Sequence, residues 1–207
     1  MANVKISGLS AVPVTPTGAE LLELVQSGVS YQATAAQIGN SANALPYASL
    51  AGRAYGYFYD AVTQTGSTSA GTAVILGTTS LGTGISIVSN GSTLTRITFA
   101  AAGTYAIYPS LQLLNSAAAD YDVVVWLRKN GTDVTASATR VTVAKTGDGG
   151  NGFFGSCFYE TVTAGQYIEV MWAPENTAVT LSYTAATAGP PATPAIPSAI
   201  VAVERIA

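Results

Sequence analysis

Side chains able to do chemistry are few in this chain of 207 residues, and most of them lack a partner. There is no histidine, which removes the commonest acid, base and metal ligand, and with it any Ser-His-Asp triad or His-bearing zinc site. Cys157 is the sole cysteine, so no intrachain disulfide can form. Set between Ser156 and Phe158 in a strand-like run, it reads as a buried structural thiol rather than a nucleophile. Among the 11 acidic residues, the pairs that would suit a two-carboxylate glycosidase are Asp120 with Asp122 and Glu160 with Glu169. The simpler reading has Asp120 and Asp122 flanking a strand start, and Glu169 pointing outward, opposite Ile168, Val170 and Trp172. No catalytic, cofactor-binding or metal-binding residue is expected, and the chain reads as non-enzymatic.

Three further patterns carry chemistry only in a context that this sequence does not supply. Gly147-Asp148-Gly149-Gly150-Asn151-Gly152 fits the letters of a dinucleotide fingerprint, but that fingerprint opens a helix and here a strand, Phe153 to Tyr159, follows. A flexible hairpin loop is expected, with Asp148 an isolated calcium candidate. Asn90-Gly91-Ser92 and Asn130-Gly131-Thr132 fit the glycosylation pattern, yet Asn-Gly is what a type I′ turn requires. Met1-Ala2-Asn3-Val4-Lys5 leads into no signal-peptide core, so the chain is expected to be made and kept in a cytosol until release. Tyr55, Tyr57 and Tyr59 read as a core stripe, an intersubunit seam or a sugar-stacking platform, the first two fitting better than the third.

Composition narrows the partners. Hydrophobic residues make up 48% of the chain but charged ones only 9%, against about 25% in an average soluble domain. Solubility then rests on Ser, Thr, Asn, Gln and Gly, and a surface of neutral hydroxyls and amides tolerates close subunit packing because few charges must be desolvated. The net charge is −3, and Arg128-Lys129 is the only adjacent basic pair, so no basic stripe exists to track a nucleic acid. Apolar runs stay far below the roughly 18 residues of a membrane span, which argues against membrane insertion.

The elements that must position these residues fall into two parts. Residues 1–43 are expected to form an attachment segment in which Gly18 to Val25 and Val29 to Ala33 pair as a hairpin about Gln26-Ser27-Gly28. Thr34 would cap a short helix, Ala35 to Ile38, ended by Gly39-Asn40. Residues 44–50 form a linker, and 51–207 show period-two alternation broken by Gly, Asn and Asp, the signature of an all-β sandwich. Strands are expected at Tyr55–Tyr59, Ala73–Leu76, Ile85–Val88, Leu94–Phe99, Thr104–Leu113, Tyr121–Leu127, within Val134–Val143, and at Phe153–Val162, Tyr167–Trp172 and Ala178–Tyr183. The Gly189 to Pro197 stretch should run extended over the surface. Ser198 to Ile206 should return as a central strand, because an apolar chain end frays unless it is docked in a sheet.

Laid out in this way, the run from Ala54 to Ile206 resembles the jelly-roll domains of the C1q and tumour-necrosis-factor type that recur in bacteriophage structural proteins. The carriers are Tyr55 to Tyr59, Ile97-Thr98-Phe99, Gly103-Thr104-Tyr105, Trp126 to Gly131, Ala164 to Glu169 and Pro197 to Ile206. The resemblance implies a homotrimer about a threefold axis and brings no catalytic residues. It puts Tyr55, Tyr57, Tyr59, Ile200 and Ala202 at the trimer interface.

Val4 to Leu9, Thr17 to Leu21 and Val29 to Gln32 look like the leader of phage tail-fibre and head-fibre proteins, an attachment module there. Ile6, Leu9, Leu21, Leu24, Val29 and Tyr31 are the attachment residues expected here. Together the resemblances imply a virion protein assembled in the bacterial cytoplasm, a trimeric capsid decoration (cement or head-fibre) protein bound to the major capsid protein or a tail component. The lack of a long shaft favours decoration over fibre. The alternative is a tail-fibre or receptor-binding tip that recognises a host surface glycan or protein through loops such as Gly147 to Gly152.

Overall fold

Period-two alternation decides how residues 53–207 are layered. In this computed structural model the described residues are 21–26, 29–34 and 53–207, the first two ranges as strand pairing alone. The chain divides into two compact units, Met1–Gly52 and Arg53–Ala207. In the first, β1 (Leu21–Gln26) pairs antiparallel with β2 (Val29–Thr34), from Leu21 opposite Thr34 to Gln26 opposite Val29. This is the hairpin expected about Gln26-Ser27-Gly28. The expected helix at Ala35 to Ile38 and the linker over 44–50 lie outside the described residues.

The second unit holds β3 (Tyr55–Asp60), β4 (Gln64–Thr65), β5 (Thr72–Ala73), β6 (Thr78–Thr83), β7 (Ile85–Ser89), β8 (Leu94–Phe99) and β9 (Gly103–Asn115). It continues with β10 (Tyr121–Lys129), β11 (Thr132–Asp133), β12 (Thr139–Val143), β13 (Asn151–Gly155), β14 (Phe158–Val162), β15 (Tyr167–Pro174), β16 (Val179–Leu181) and β17 (Ala199–Arg205). One antiparallel sheet runs β11-β10-β15-β8-β7, with β12 on β10 and β5 on β15. The other runs β4-β16-β9-β17-β3-β6, with β13 and β14 on the second edge of β9. From β8 onward the chain crosses between the sheets at β8→β9, β9→β10, β12→β13, β14→β15 and β15→β16, which makes this the jelly-roll β-sandwich expected.

Between the sheets lies one core. Phe58, Tyr105, Ile107, Leu111, Leu113, Val201 and Val203 of the β9 sheet meet Ile97, Phe99, Val123, Val125, Leu127, Ile168, Val170 and Trp172 of the β10 sheet. Each large side chain removed from water contributes roughly 1.5–3 kcal/mol. Phe99 and Tyr105 pack as a tilted pair with ring centroids 4.4 Å apart, and the Tyr105 hydroxyl donates to Ala101 O (2.9 Å), so its polar tip is satisfied. The closing strand is central as expected, with β17 paired to β3 on one side and β9 on the other.

Local turn chemistry accounts for some connections and corrects others. Asn130 and Gly131 both take positive φ (48° and 84°) and set Lys129 opposite Thr132, a type I′ hairpin. At Asn90-Gly91 only the glycine has positive φ, and Asn90 Oδ1 instead accepts from the Ser92 and Thr93 backbone N–H groups, both at 3.0 Å. The strand expected over Ala73 to Leu76 shortens to Thr72–Ala73.

The Gly147 to Gly152 segment is neither a hairpin nor loose. It carries β12 of one sheet to β13 of the other through a 3₁₀ turn at Thr146–Asp148, and Asn115 N donates to Gly150 O at 2.7 Å. A Cβ at position 150 would stand 2.5 Å from Asn115 O, so glycine is required there.

A buried polar clasp, not anticipated from sequence, ties the end of β3 to the start of β17. Gln64 Nε2 donates to Asp60 Oδ2 (3.2 Å) and Ile75 O (3.0 Å), while Gln64 Oε1 accepts from Ile75 N (2.8 Å). Ser198 Oγ donates to Val62 O (2.7 Å), and the Gly77 N–H reaches Asp60 Oδ1 (3.3 Å). Gln64→Ala strands the Ile75 N–H and part of the Asp60 carboxylate in the interior, and urea unfolding should show a loss on the order of 2–4 kcal/mol. An unchanged unfolding free energy would contradict this account of the clasp.

Candidate functional site

Because Phe58 fills the core, alternation along β3 turns Tyr55, Tyr57 and Tyr59 to the opposite face of the β9 sheet. The same rule on β17 buries Ala199, Val201 and Val203 and turns Ile200, Ala202 and Glu204 outward. Strand register then assembles three rows. Leu81, Tyr57, Ala202 and Tyr108 lie side by side across β6, β3, β17 and β9. Tyr55, Glu204, Ala106 and Tyr159 form the row on one side of it, and Tyr59, Ile200, Ser110 and Gly155 the row on the other. The exposed large side chains of this face run from 37% at Tyr57 and Tyr108 to 64% at Tyr159, while Tyr59, Ile200 and Ala202 are half-buried and Ala106 is buried.

The five residues expected at a subunit interface are therefore together on one open face. The core reading of the tyrosine stripe is corrected, because the intervening Phe58 took that place. Leu81, Tyr108, Phe153 and Tyr159 belong to the same face and were not singled out from sequence. Tyr105, Ile107, Leu111 and Leu113 take the core side of β9, which leaves Tyr108 on the other.

Cys157 also departs from expectation, being exposed and outside any strand. Proline has no N–H, so Pro109 breaks the β9 ladder opposite Ser156, where a single long bond from Ser156 N to Pro109 O (3.4 Å) remains. Register is kept across the gap: Gly155 pairs with Ser110 and Phe158 with Ile107, which sets Cys157 beside Tyr108 on the open face.

The acids are committed elsewhere. Asp120 Oδ1 accepts from Lys145 N (2.8 Å), and Asp122 accepts from Thr142 Oγ1 (2.6 Å) and Arg140 (3.2 Å), so the two do flank the start of β10. Glu160 on β14 pairs with Lys129 on β10, joining the two sheets at their rim. Glu169 lies on the outward face of β15 but is buried, which corrects the reading of an exposed acid. Thr95 Oγ1 donates to it at 2.7 Å, and Arg96, which also stacks 4.4 Å over the Tyr167 ring, approaches to 3.8 Å. The structure thus puts Glu160 and Glu169 on different sheets, each with its own cation. Asp148 pairs with Lys145 at 3.6 Å. Among the described residues no group of three or more Cys, Asp or Glu is placed to hold a metal ion.

Of the expected attachment residues, Leu21 and Leu24 lie on β1 and Val29 and Tyr31 on β2, with Leu24 opposite Tyr31. Ile6 and Leu9 are outside the described residues.

No protein-family model matches the chain, and no curated protein sequence matches it. Among solved structures it is similar to murine APRIL, at 13% identity and a TM-score of 0.46, over 74% of this chain and 99% of that one. It is also similar to the Eiger TNF of S. frugiperda, at 9% identity and a TM-score of 0.45, over 75% of this chain and 92% of that one.

Glu204 is the one charge in the three rows, and it acts on the Tyr108 phenol. The Tyr108 hydroxyl donates to Glu204 Oε1 (3.1 Å), and this bond to a carboxylate, with burial and the neighbouring Cys157 adding to it, pushes the phenol up to about 12. The Cys157 thiol raises Tyr159 in the same sense. A raised phenol favours the protonated form in the fold. Its contribution is therefore complete below the ordinary value of 10.0 and is lost as pH climbs through about 12. Glu204→Gln should bring the Tyr108 titration, followed by carbon NMR of labelled tyrosine, down towards 10.0. A midpoint that does not move would contradict the pairing.

Proposed function

We propose that the chain is a non-enzymatic structural protein of a bacteriophage particle, a capsid decoration protein that trimerises through the open face of the β9 sheet and is held to the particle by its N-terminal segment. The observation that carries the reading is the three-row face: aromatic and aliphatic, continuous from β6 through β3, β17 and β9 to β13 and β14, and interrupted by a single carboxylate. Monomeric soluble proteins rarely leave apolar patches larger than a few hundred Å² open to water. Tyrosine is enriched where such patches are covered by another protein, because it supplies a large apolar area with a polar tip.

The threefold arrangement is what the sequence resemblance to C1q and tumour-necrosis-factor jelly rolls implies, and the low charge density leaves little to desolvate on assembly. The phage setting follows from the likeness of the leader to head-fibre and tail-fibre leaders. The division into a small β1-β2 unit and a sandwich unit supports separate roles for anchor and body. A tail-fibre or receptor-binding tip is the competing reading, in which exposed tyrosines stack on host sugars.

Light scattering on the full chain should give three times the chain mass of 21.0 kDa at micromolar concentration, and Tyr57→Asp, which buries a charge in the middle row, should return it to a monomer with unchanged circular dichroism. A monomeric wild-type chain would overturn the assembly reading. Electron microscopy of the intact particle should place threefold density on the head, whereas density at the tail tip, together with glycan binding by the isolated protein, would favour the competing reading.

A further inference from the structure

β16 and β17 run along the same edge of β9, Leu181 opposite Leu113 and Ala199 opposite Leu111. Only Gln112 lies between these positions: Ser182 N donates to Gln112 O (2.7 Å) and Gln112 N to Ser198 O (3.0 Å). Residues 183–197 are thus looped out of a single strand line at one residue of β9. The neighbouring line is occupied as well, since Asp60 of β3 stands opposite Ala199 and Gln64 of β4 opposite Leu181. With strands on both sides and the core face filled by Leu111, Leu113, Val179 and Leu181, the open face of the sheet is the way out for this arm.

Every residue from Thr184 to Ile196 is exposed. The backbone bonds of this stretch are made within the arm, Thr184 with Ile196 (3.0 and 2.8 Å) and Thr187 with Thr193 (3.0 and 3.3 Å). No charged residue occurs between Glu175 and Glu204, so the arm is a hairpin of Ala, Thr and Pro with little to desolvate. It does not cover its own sheet, because Tyr57, Tyr108, Phe153 and Tyr159 all stay open. Phe153, 59% exposed, lies directly across β9 from Gln112, where the arm departs. A limb of about six residues reaches on the order of 20 Å, roughly four strand spacings, which carries the tip beyond the single strand that flanks β9 on that side.

We propose that Thr184 to Ile196 is an intersubunit strap, laid by each copy of the chain over the Phe153 end of the open face of its neighbour. The proposal rests on the assembly reading above and adds a second contact to it. A charge-free arm and a face whose one carboxylate is already engaged by Tyr108 make the interaction available when copies meet, and the prolines lower the entropy lost when the arm is ordered.

The test uses the full chain in a Cys157→Ser background, which removes the only native thiol. Ala192→Cys and Phe153→Cys introduced together should give, on mild oxidation, covalent dimers and trimers on a denaturing gel. A disulfide within one chain, or none in a protein that light scattering shows to be trimeric, would overturn the strap. Replacing Thr184 to Ile196 by two glycines should raise the trimer dissociation constant by ~10-fold or more with unchanged circular dichroism. An unchanged constant would also overturn the strap while leaving the seam intact, whereas a monomeric wild-type chain would sink the assembly reading itself.

Discussion

Strand β17 is held by backbone hydrogen bonds on both edges, and the remaining features of the open face follow from that constraint. With β3 on one side and β9 on the other, β17 can neither slip nor rotate. A slip of one residue would drive Ile200 and Ala202 into the core and expel Val201 and Val203. The strand is apolar at every position from Ala199 to Val203, so one set of its side chains must face away from the core whatever the register. The neighbours repeat the pattern: Phe58 inward forces Tyr57 outward, and Ile107 inward forces Tyr108 outward. An apolar outer face is thus built into strands whose inner face is already full.

The electrostatics are consistent with a sheet whose chemistry has been spent on holding the fold together. Lys129 and Glu160 join the sheets at the rim, Arg96 stacked on Tyr167 approaches Glu169, and Asp133 is held below the ordinary carboxylate range by hydrogen bonds from Arg128 and Trp126. What remains on the open face is one carboxylate already engaged by a phenol. Such a surface loses little on dehydration and gains the burial of several aromatic rings.

Much of the sandwich was legible because alternation and turn chemistry are local. Tyr121 to Leu127 ahead of Asn130-Gly131 specifies both a strand and its hairpin, and the apolar end of the chain announces a docked strand. What was not legible depends on partners distant in sequence. Whether Tyr57 or Phe58 faces the core is settled by β17 and β9, well over 40 residues away. The exposure of Cys157 depends on Pro109 across the ladder, and the burial of Glu169 on Thr95 and Arg96 from another strand. The Gln64 clasp joins three loops that no periodic pattern connects.

Coverage of the open face of the β9 sheet by copies of the same chain is read most directly from Cys157. It is the sole cysteine and sits beside Tyr108 on that face, so its rate of reaction with a thiol reagent reports on nothing else. Labelling should be rapid in dilute protein and progressively slower as concentration rises, with the transition following the mass measured by light scattering. A labelling rate that stays the same from nanomolar to high micromolar protein would contradict it.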